Sequence, residues 1–199
     1  MELTNEFVKR VLKNLPASEP RDFLFKNWSF GGKPTKEGFG MLPVPGVDAE
    51  RLLGRITDVD HYVGNLAHVV ECRTVADAAY TPPQQTRFYQ RVKIPLLGDV
   101  HHELLMERLG KHEGYEIAAW TILESETAAL NKKKGMRSQY NEGCWLIGEG
   151  VVGYALSSAP RKDDVGFLKW KAMTVGADAA APKILRENIE AMSKWTARG

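Results

Sequence analysis

The sequence predicts an α+β fold in which a curved antiparallel sheet wraps one long C-terminal helix and leaves apolar space between them. Two periodicities carry that prediction. Phe167, Trp170, Met173, Ala177, Ala181, Ile184, Ile189, Met192 and Trp195 recur at steps of three to five, so they line one side of a 3.6-residue helix. Before them, from Leu66 to Ser158, short strand-like segments alternate with turns, which is the pattern of an antiparallel sheet followed by its helix. A helix this long needs a broad surface to lie on, and a sheet curved around it encloses space. Ligand binding is therefore the leading expectation.

The elements follow in order. Phe7, Val8, Val11, Leu12 and Leu15 form one stripe of a short amphipathic helix, ended by Pro16 and expected on the outside of the body. Residues 19–47 hold two strand-like pieces, Phe23-Leu24-Phe25 and Trp28-Ser29-Phe30, broken by repeated glycine and proline, which predicts a long loop with one edge strand near 38–42. Asp48 can cap a helix that turns Leu52, Leu53 and Ile56 inward, with a second short helix over 58–64. Strands are expected at 67–76, 85–94, 100–109, 115–124, 137–148 and 151–158, with turns at 97–99, 110–114, 131–135 and 148–150. In the final helix Pro182 lacks the N–H that would reach the Asp178 carbonyl, so a kink or restart is expected between Gly176 and Pro182, with Asp178 as cap. That weak point reads either as a gate that shifts when a ligand enters or as a fixed kink.

At 199 residues the chain fits a single domain, 1–199, with 1–46 as an N-terminal helix-and-loop extension and 47–198 as the core. Its 27 basic and 25 acidic residues nearly balance, so no nucleic-acid partner is expected. Cys72 and Cys144 lack partners at metal-ligand spacing and read as buried free thiols in a reducing compartment. The N-terminal stretch carries Glu2, Glu6, Lys9, Arg10 and Lys13 among its apolar residues, unlike a signal peptide, and no run reaches the length of a membrane span. A cytoplasmic location is the expectation.

Three stretches resemble the START-like family, also called SRPBCC or helix-grip, whose members include START lipid-transfer domains, the birch-pollen allergen group and polyketide cyclases. Val47-Asp48-Ala49-Glu50-Arg51-Leu52-Leu53, running into Ile56-Thr57-Asp58-Val59-Asp60-His61-Tyr62, is similar to the family's opening, where a strand meets a helix and a D-x-x-x-Y turn. Phe88 through His102, with Pro95 in the turn and Asp99 before the next strand, is similar to the START hairpin; START proteins usually carry arginine directly after that acid, where this chain has Val100. Residues 151–160 with the long helix resemble the closing strand and lid. The resemblance spans 47–198, is closest in pattern to START lipid-binding domains, and implies this fold together with lipid or steroid carriage, hormone reception, or cyclisation and dehydration of polyketides.

Strand alternation nominates the lining of the cavity. Val100, His102, Leu104 and Met106 share one face, opposed to His101, Glu103, Leu105 and Glu107, and the charges assign the first set to the interior. The same test turns Phe88, Gln90, Val92 and Ile94 inward, together with Tyr115, Ile117, Ala119, Thr121 and Leu123, and with Val152, Tyr154 and Leu156. Trp170, Met173 and Ala177 would face them from the helix. Gln90, His102, Thr121 and Tyr154 are the polar groups in that set; they read as ligand hydrogen-bonders or, for His102 and Gln90 on neighbouring strands, as a pair bonded to each other or to water.

His101 and His102 cannot chelate one metal ion from one strand, since neighbours point to opposite faces. No metal and no cofactor are expected. Lys132-Lys133-Lys134 reads as a solvated turn or, beside Gly135 and Met136, as a transient contact with an anionic membrane surface. The function expected first is binding or carriage of a hydrophobic small molecule, such as a lipid, sterol, isoprenoid or polyketide. The alternative is a polyketide cyclase or dehydratase-type enzyme with His102 or Tyr154 as acid or base.

Overall fold

The first element of the computed structural model, which describes residues 3–94 and 98–198, is set by Asn5. Its side chain accepts a hydrogen bond from the Val8 backbone N–H at 3.0 Å, starting α1 (Glu6–Lys13) by satisfying one of the free donors of the first turn. The stripe of Phe7, Val8, Val11 and Leu12 is buried against Phe39, Met41, Ile117, Ala119, Cys144, Leu146 and Ala155. Those residues belong to the outer face of the sheet, so α1 lies outside the body, as its sequence requires.

The strand expected near 38–42 forms as β2 (Glu37–Pro43), but part of the loop expected before it is a further strand, β1 (Leu24–Trp28). β2 is not an edge, for it pairs with β1 on one side and with the eighth strand on the other. The glycines that read as breakers are there for close packing: a Cβ on Gly40 would stand 2.7 Å from the Phe23 ring. Glu37, fully buried at the start of β2, receives Arg10 Nε and Nη2 at 2.8 Å each, Trp28 Nε1 at 2.9 Å and Lys33 Nζ at 3.0 Å. Burial pushes its carboxyl up, but the hydrogen bonds from Arg10 and Lys33 outweigh that and hold it below the ordinary value. This knot ties α1 and the β1–β2 connection to the sheet.

Asp48 caps α2 (Ala49–Thr57) through the Arg51 N–H, and Leu52, Leu53 and Ile56 enter the core. A single 3₁₀ turn, Val59–His61, replaces the second short helix. There follow β3 (Val69–Thr74), β4 (Gln85–Ile94), β5 (Gly98–His112), β6 (Tyr115–Ile122), α3 (Glu124–Ala129), a 3₁₀ turn over Lys132–Lys134, β7 (Met136–Gly148) and β8 (Val151–Pro160). Of the turn expected at 97–99, Leu97 lies outside the described residues, while Gly98 and Asp99 belong to β5. The eight strands form one curved sheet in the order β1-β2-β8-β7-β6-β5-β4-β3, antiparallel except for a short parallel contact of β5 with β7.

On β6 the structure reverses the expected facing. Ala118, Trp120 and Ile122 join the inner core, whereas Ile117 and Ala119 pack with Tyr115 on the outer face, and Thr121 shares their side of the strand. Both faces of the sheet are covered, one by α1, so apolar residues alternate with apolar residues and the pattern cannot choose between them.

After α4 (Lys162–Val165), α5 runs from Phe167 to Ala197 as one unbroken helix with Pro182 inside it. The expected restart is absent because the two halves are held separately: Met173 packs with Val100 and Met136, and Leu185, Ile189, Met192 and Trp195 are buried. Asp178 caps nothing; its carboxylate accepts the Lys36 backbone N–H at 2.9 Å.

Candidate functional site

The inner face is shaped by an interruption and a bulge. β6 stops at Ile122, α3 carries the chain away, and β7 returns directly beside β5, with Val100 opposite Met136 and His101 opposite Arg137. A register shift between Ser138 and Tyr140 in the β7–β8 ladder leaves Gln139 as an extra residue. The bulge lets both Ser138 and Asn141 face inward, against the period of two.

They converge on His102, which is 1% exposed. Its Nε2 is 3.1 Å from Gln90 Oε1 and its Nδ1 is 2.9 Å from Ser138 Oγ. Because Gln90 offers an oxygen, Nε2 carries the proton and Nδ1 accepts from the Ser138 hydroxyl. Asn141 takes the Trp120 indole N–H on Oδ1 at 2.8 Å, which turns its amide nitrogen toward the imidazole at 3.3 Å from Nδ1. Burial, with a smaller contribution from neighbouring His101, pushes the His102 pKa down to about 3, so the ring is neutral at physiological pH.

Aromatic rings extend this ribbon. Trp120 stacks on Tyr154 with ring centroids 5.3 Å apart, and Trp145 meets Tyr154 at 4.4 Å. Gly143, opposite Trp120 on β7, makes room, since a Cβ there would stand 2.1 Å from the indole. Burial drives the Tyr154 phenol well above its ordinary pKa. Its hydroxyl and the Gln90 amide nitrogen have no hydrogen-bond partner among the described residues, and both side chains retain accessible surface.

That exposure forms a pattern. On β8 the inner-face residues Tyr154, Leu156 and Ser158 are half-buried while their outward neighbours Ala155, Ser157 and Ala159 are buried; on β4, Gln90, Val92 and Ile94 are half-buried while Tyr89 is buried. These positions on the side of the sheet facing α5 thus stay partly accessible, next to the buried inner cluster. Above them, the first half of α5 leaves Phe167, Leu168 and Val175 exposed. Two clefts of about 330 Å³ lie elsewhere, one beside Gly64 and Trp195 and another between Leu53 and Arg108.

Of the residues nominated from sequence, the fold gathers Phe88, Gln90, Val92, His102, Leu104, Met106, Tyr154 and Leu156 on the inner face. Met173 faces Val100, whereas Trp170 donates its indole N–H to the Pro160 carbonyl at 3.0 Å at the end of β8. Ala177 is half-buried in the loosely covered part of α5. Ile117 and Thr121 face the other way. Ser138 and Asn141 were not nominated, because only the bulge reveals their direction, nor was Trp120, because β6 is apolar on both faces. His101 points outward to the Tyr89 hydroxyl at 3.1 Å, opposite to His102. Met136, part of the alternative membrane-contact reading of the lysine turn, is buried against Val100 and Met173. Among the described residues no helix is long and apolar enough to cross a membrane.

No protein-family model matches the chain, and no curated protein matches it. Solved structures do. A STAR-related lipid transfer protein fragment from Xanthomonas axonopodis superposes with a TM-score of 0.70 at 11% identity, covering 91% of this chain and 97% of that one. Human STARD10 gives 0.69 at 13% identity over 99% and 84%. The di-domain ARO/CYC protein BexL gives 0.50 at 8% identity over 94% and 52%. With an eight-stranded sheet curved around a 31-residue C-terminal helix, this chain has the START-like, helix-grip fold.

Proposed function

We propose that the protein binds and carries a hydrophobic small molecule between the sheet and the first half of α5. The observation that carries this reading is the partly accessible inner face, where half-buried apolar residues stand beside unpartnered Tyr154 and Gln90 donors. Accessible polar groups of this kind can bond to water when the face is empty and to the polar atoms of a ligand when it is occupied. The fold it shares with lipid transfer proteins supports the same reading.

Cyclase or dehydratase chemistry is the weaker reading despite the likeness to BexL. A general base works best with a pKa near the working pH, and His102 near 3 is too weak a base to take up a proton there, while the Tyr154 phenol is shifted the opposite way and is too weak an acid to give one up. A membrane contact belongs with carriage: exposed Phe167 and Leu168 are flanked by Lys162, Lys169 and Lys171, a combination suited to an anionic interface. The free, buried Cys72 and Cys144 support a reducing, cytoplasmic setting.

The test is native mass spectrometry of gently purified protein, followed by delipidation and titration with fluorescent lipids. A co-purified ligand or saturable uptake is expected. Absence of both from folded protein would sink the reading.

A further inference from the structure

The polar groups that face the partly accessible side of the sheet share one property, which is that they are all neutral. Ser138, Asn141, Gln90, Tyr154 and the Trp120 indole carry no charge, and His102 is enclosed by them with both ring nitrogens occupied. The apolar residues around them, from Phe88 and Leu104 to Met173, add none. The charged side chains of the same strands point the other way and are engaged there: Arg91 with Glu71 and Asp99, Arg87 with Asp77 and Glu103, Arg137 with Asp164. At the rim, Arg161 donates Nε to the Ser138 carbonyl at 3.2 Å and lies close enough to Asp164 to lower the pKa of its carboxyl. Two other cations lie at the ends of the inner cluster and away from Gln90 and Tyr154: Arg55, over the Trp195 ring at 5.1 Å, and Arg186, over the Phe23 ring at 5.8 Å.

An anionic head in such a place would lose its hydration with no counter-charge to replace it, a penalty far larger than any hydrogen bond there could return. The unused groups are donors. Gln90 has both amide hydrogens free, since its oxygen is held by His102, and Tyr154 has its hydroxyl free. Free donors call for an oxygen acceptor.

Resting on the ligand-carrying reading, we propose that the molecule bound here has an uncharged oxygen-bearing polar end, a carbonyl or hydroxyl received by Gln90 or Tyr154, and that fatty-acid anions and phosphate head groups are excluded. The geometry makes selectivity a matter of charge before shape. A carboxylic acid enters only as its protonated form, so its affinity rises as pH falls, while that of an ester or alcohol does not.

The test uses one fluorescent acyl chain carrying, in turn, a primary alcohol, a methyl ketone, a methyl ester, a carboxylate and a phosphate monoester, titrated into the full chain at about pH 7.5 and about pH 5.5. The neutral probes are expected to bind at least about ten-fold tighter than the carboxylate at the higher pH, with the gap narrowing at the lower. Gln90→Leu or Tyr154→Phe should weaken the neutral probes by about ten-fold and leave a plain hydrocarbon probe unchanged. Equal or tighter binding of the carboxylate or phosphate at the higher pH overturns the inference while leaving carriage intact, and its loss on Arg161→Ala would identify the rim arginine as the anchor instead. Failure of every probe to bind folded protein overturns the carrier reading and this inference with it.

Discussion

Ser138 and Asn141 stand three residues apart on β7 and yet reach the same imidazole, that of His102, from one face of the strand. Only a bulge permits this, because in a regular strand such residues point to opposite sides. Asn141 joins the ring to Trp120 and so to the stacked Tyr154, while His102 itself joins it to Gln90. A single irregularity of the backbone thereby assembles a polar ribbon reaching side chains of β4, β5, β6 and β7.

The ribbon should behave as a unit. His102→Phe leaves the Ser138 hydroxyl, the Gln90 oxygen and one Asn141 hydrogen without their partner, so a loss of about 2–4 kcal/mol is expected in urea denaturation. The triple variant with Ser138→Ala and Gln90→Leu removes two of the three stranded groups, keeps Asn141 as the acceptor of the Trp120 indole N–H, and should recover much of that loss. Additive costs in the triple variant would show that the contacts are independent.

Much of the fold was legible because its signals were local. The Asp48 cap, the α1 stripe and the bounds of β4 stand where the sequence put them. The misreadings share a physical origin in contacts distant along the chain. Gly38 and Gly40 look like breakers until Phe23 and Phe25 are placed over them, and β6 has no polar side to orient it because α1 covers its outer face. His102 and Gln90 could be paired from alternation alone. Ser138 and Asn141 could not, since a bulge decides where they point, and Trp120 could not, since it lies on that unoriented strand.

Stability should depend on pH through His102. Its folded pKa lies near 3, below the unfolded value of about 6.5, so the neutral folded form binds fewer protons than the unfolded chain once the pH drops beneath 6.5. The contribution is fully present above that value and is lost as pH falls toward the folded pKa. Between about pH 6.5 and 5 the loss amounts to roughly 2 kcal/mol, at 1.36 kcal/mol per unit. Burial lowers the His101 pKa as well and adds a slope of the same sign. His102→Gln should be flatter than the parent over this window, measured by denaturant midpoints; parallel curves would mean that His102 titrates normally when folded.

Gly143 and Gly54 provide a matched pair. A methyl group on Gly143 would lie 2.1 Å from the Trp120 ring and 2.5 Å from the Ala155 carbonyl, with the ring held by its stack on Tyr154 and its bond to Asn141. Gly143→Ala should cost about 3 kcal/mol and alter tryptophan fluorescence. Nothing lies within 4 Å of a Cβ on Gly54, an exposed position inside α2, so Gly54→Ala should stabilise by about 0.5–1 kcal/mol. Similar effects from the two substitutions would refute the close approach at Trp120.

Pro182 sits in the interior of α5, where it withholds an N–H from the Asp178 carbonyl and crowds that turn. The helix persists because packing on both sides fixes it, but the halves are unequal. Before Leu185 the buried positions of the helix are Met173 and Thr174, and from there Leu185, Asn188, Ile189, Met192, Trp195 and Thr196 follow. The proline therefore stands where a well-anchored half meets a loosely anchored one that covers the partly accessible face. Pro182→Ala restores the missing bond, worth about 3 kcal/mol in a helix interior, and gives back about 0.4–1 kcal/mol through a freer unfolded chain. A net gain near 2 kcal/mol is expected, raising Tm by roughly 4–8 °C for a domain of this size. Hydrogen exchange over residues 174–185 should slow in the variant, and uptake of a fluorescent lipid should slow with it if that turn opens to admit ligand. Slower exchange with unchanged uptake would make Pro182 a fixed feature of the helix and place the entrance elsewhere.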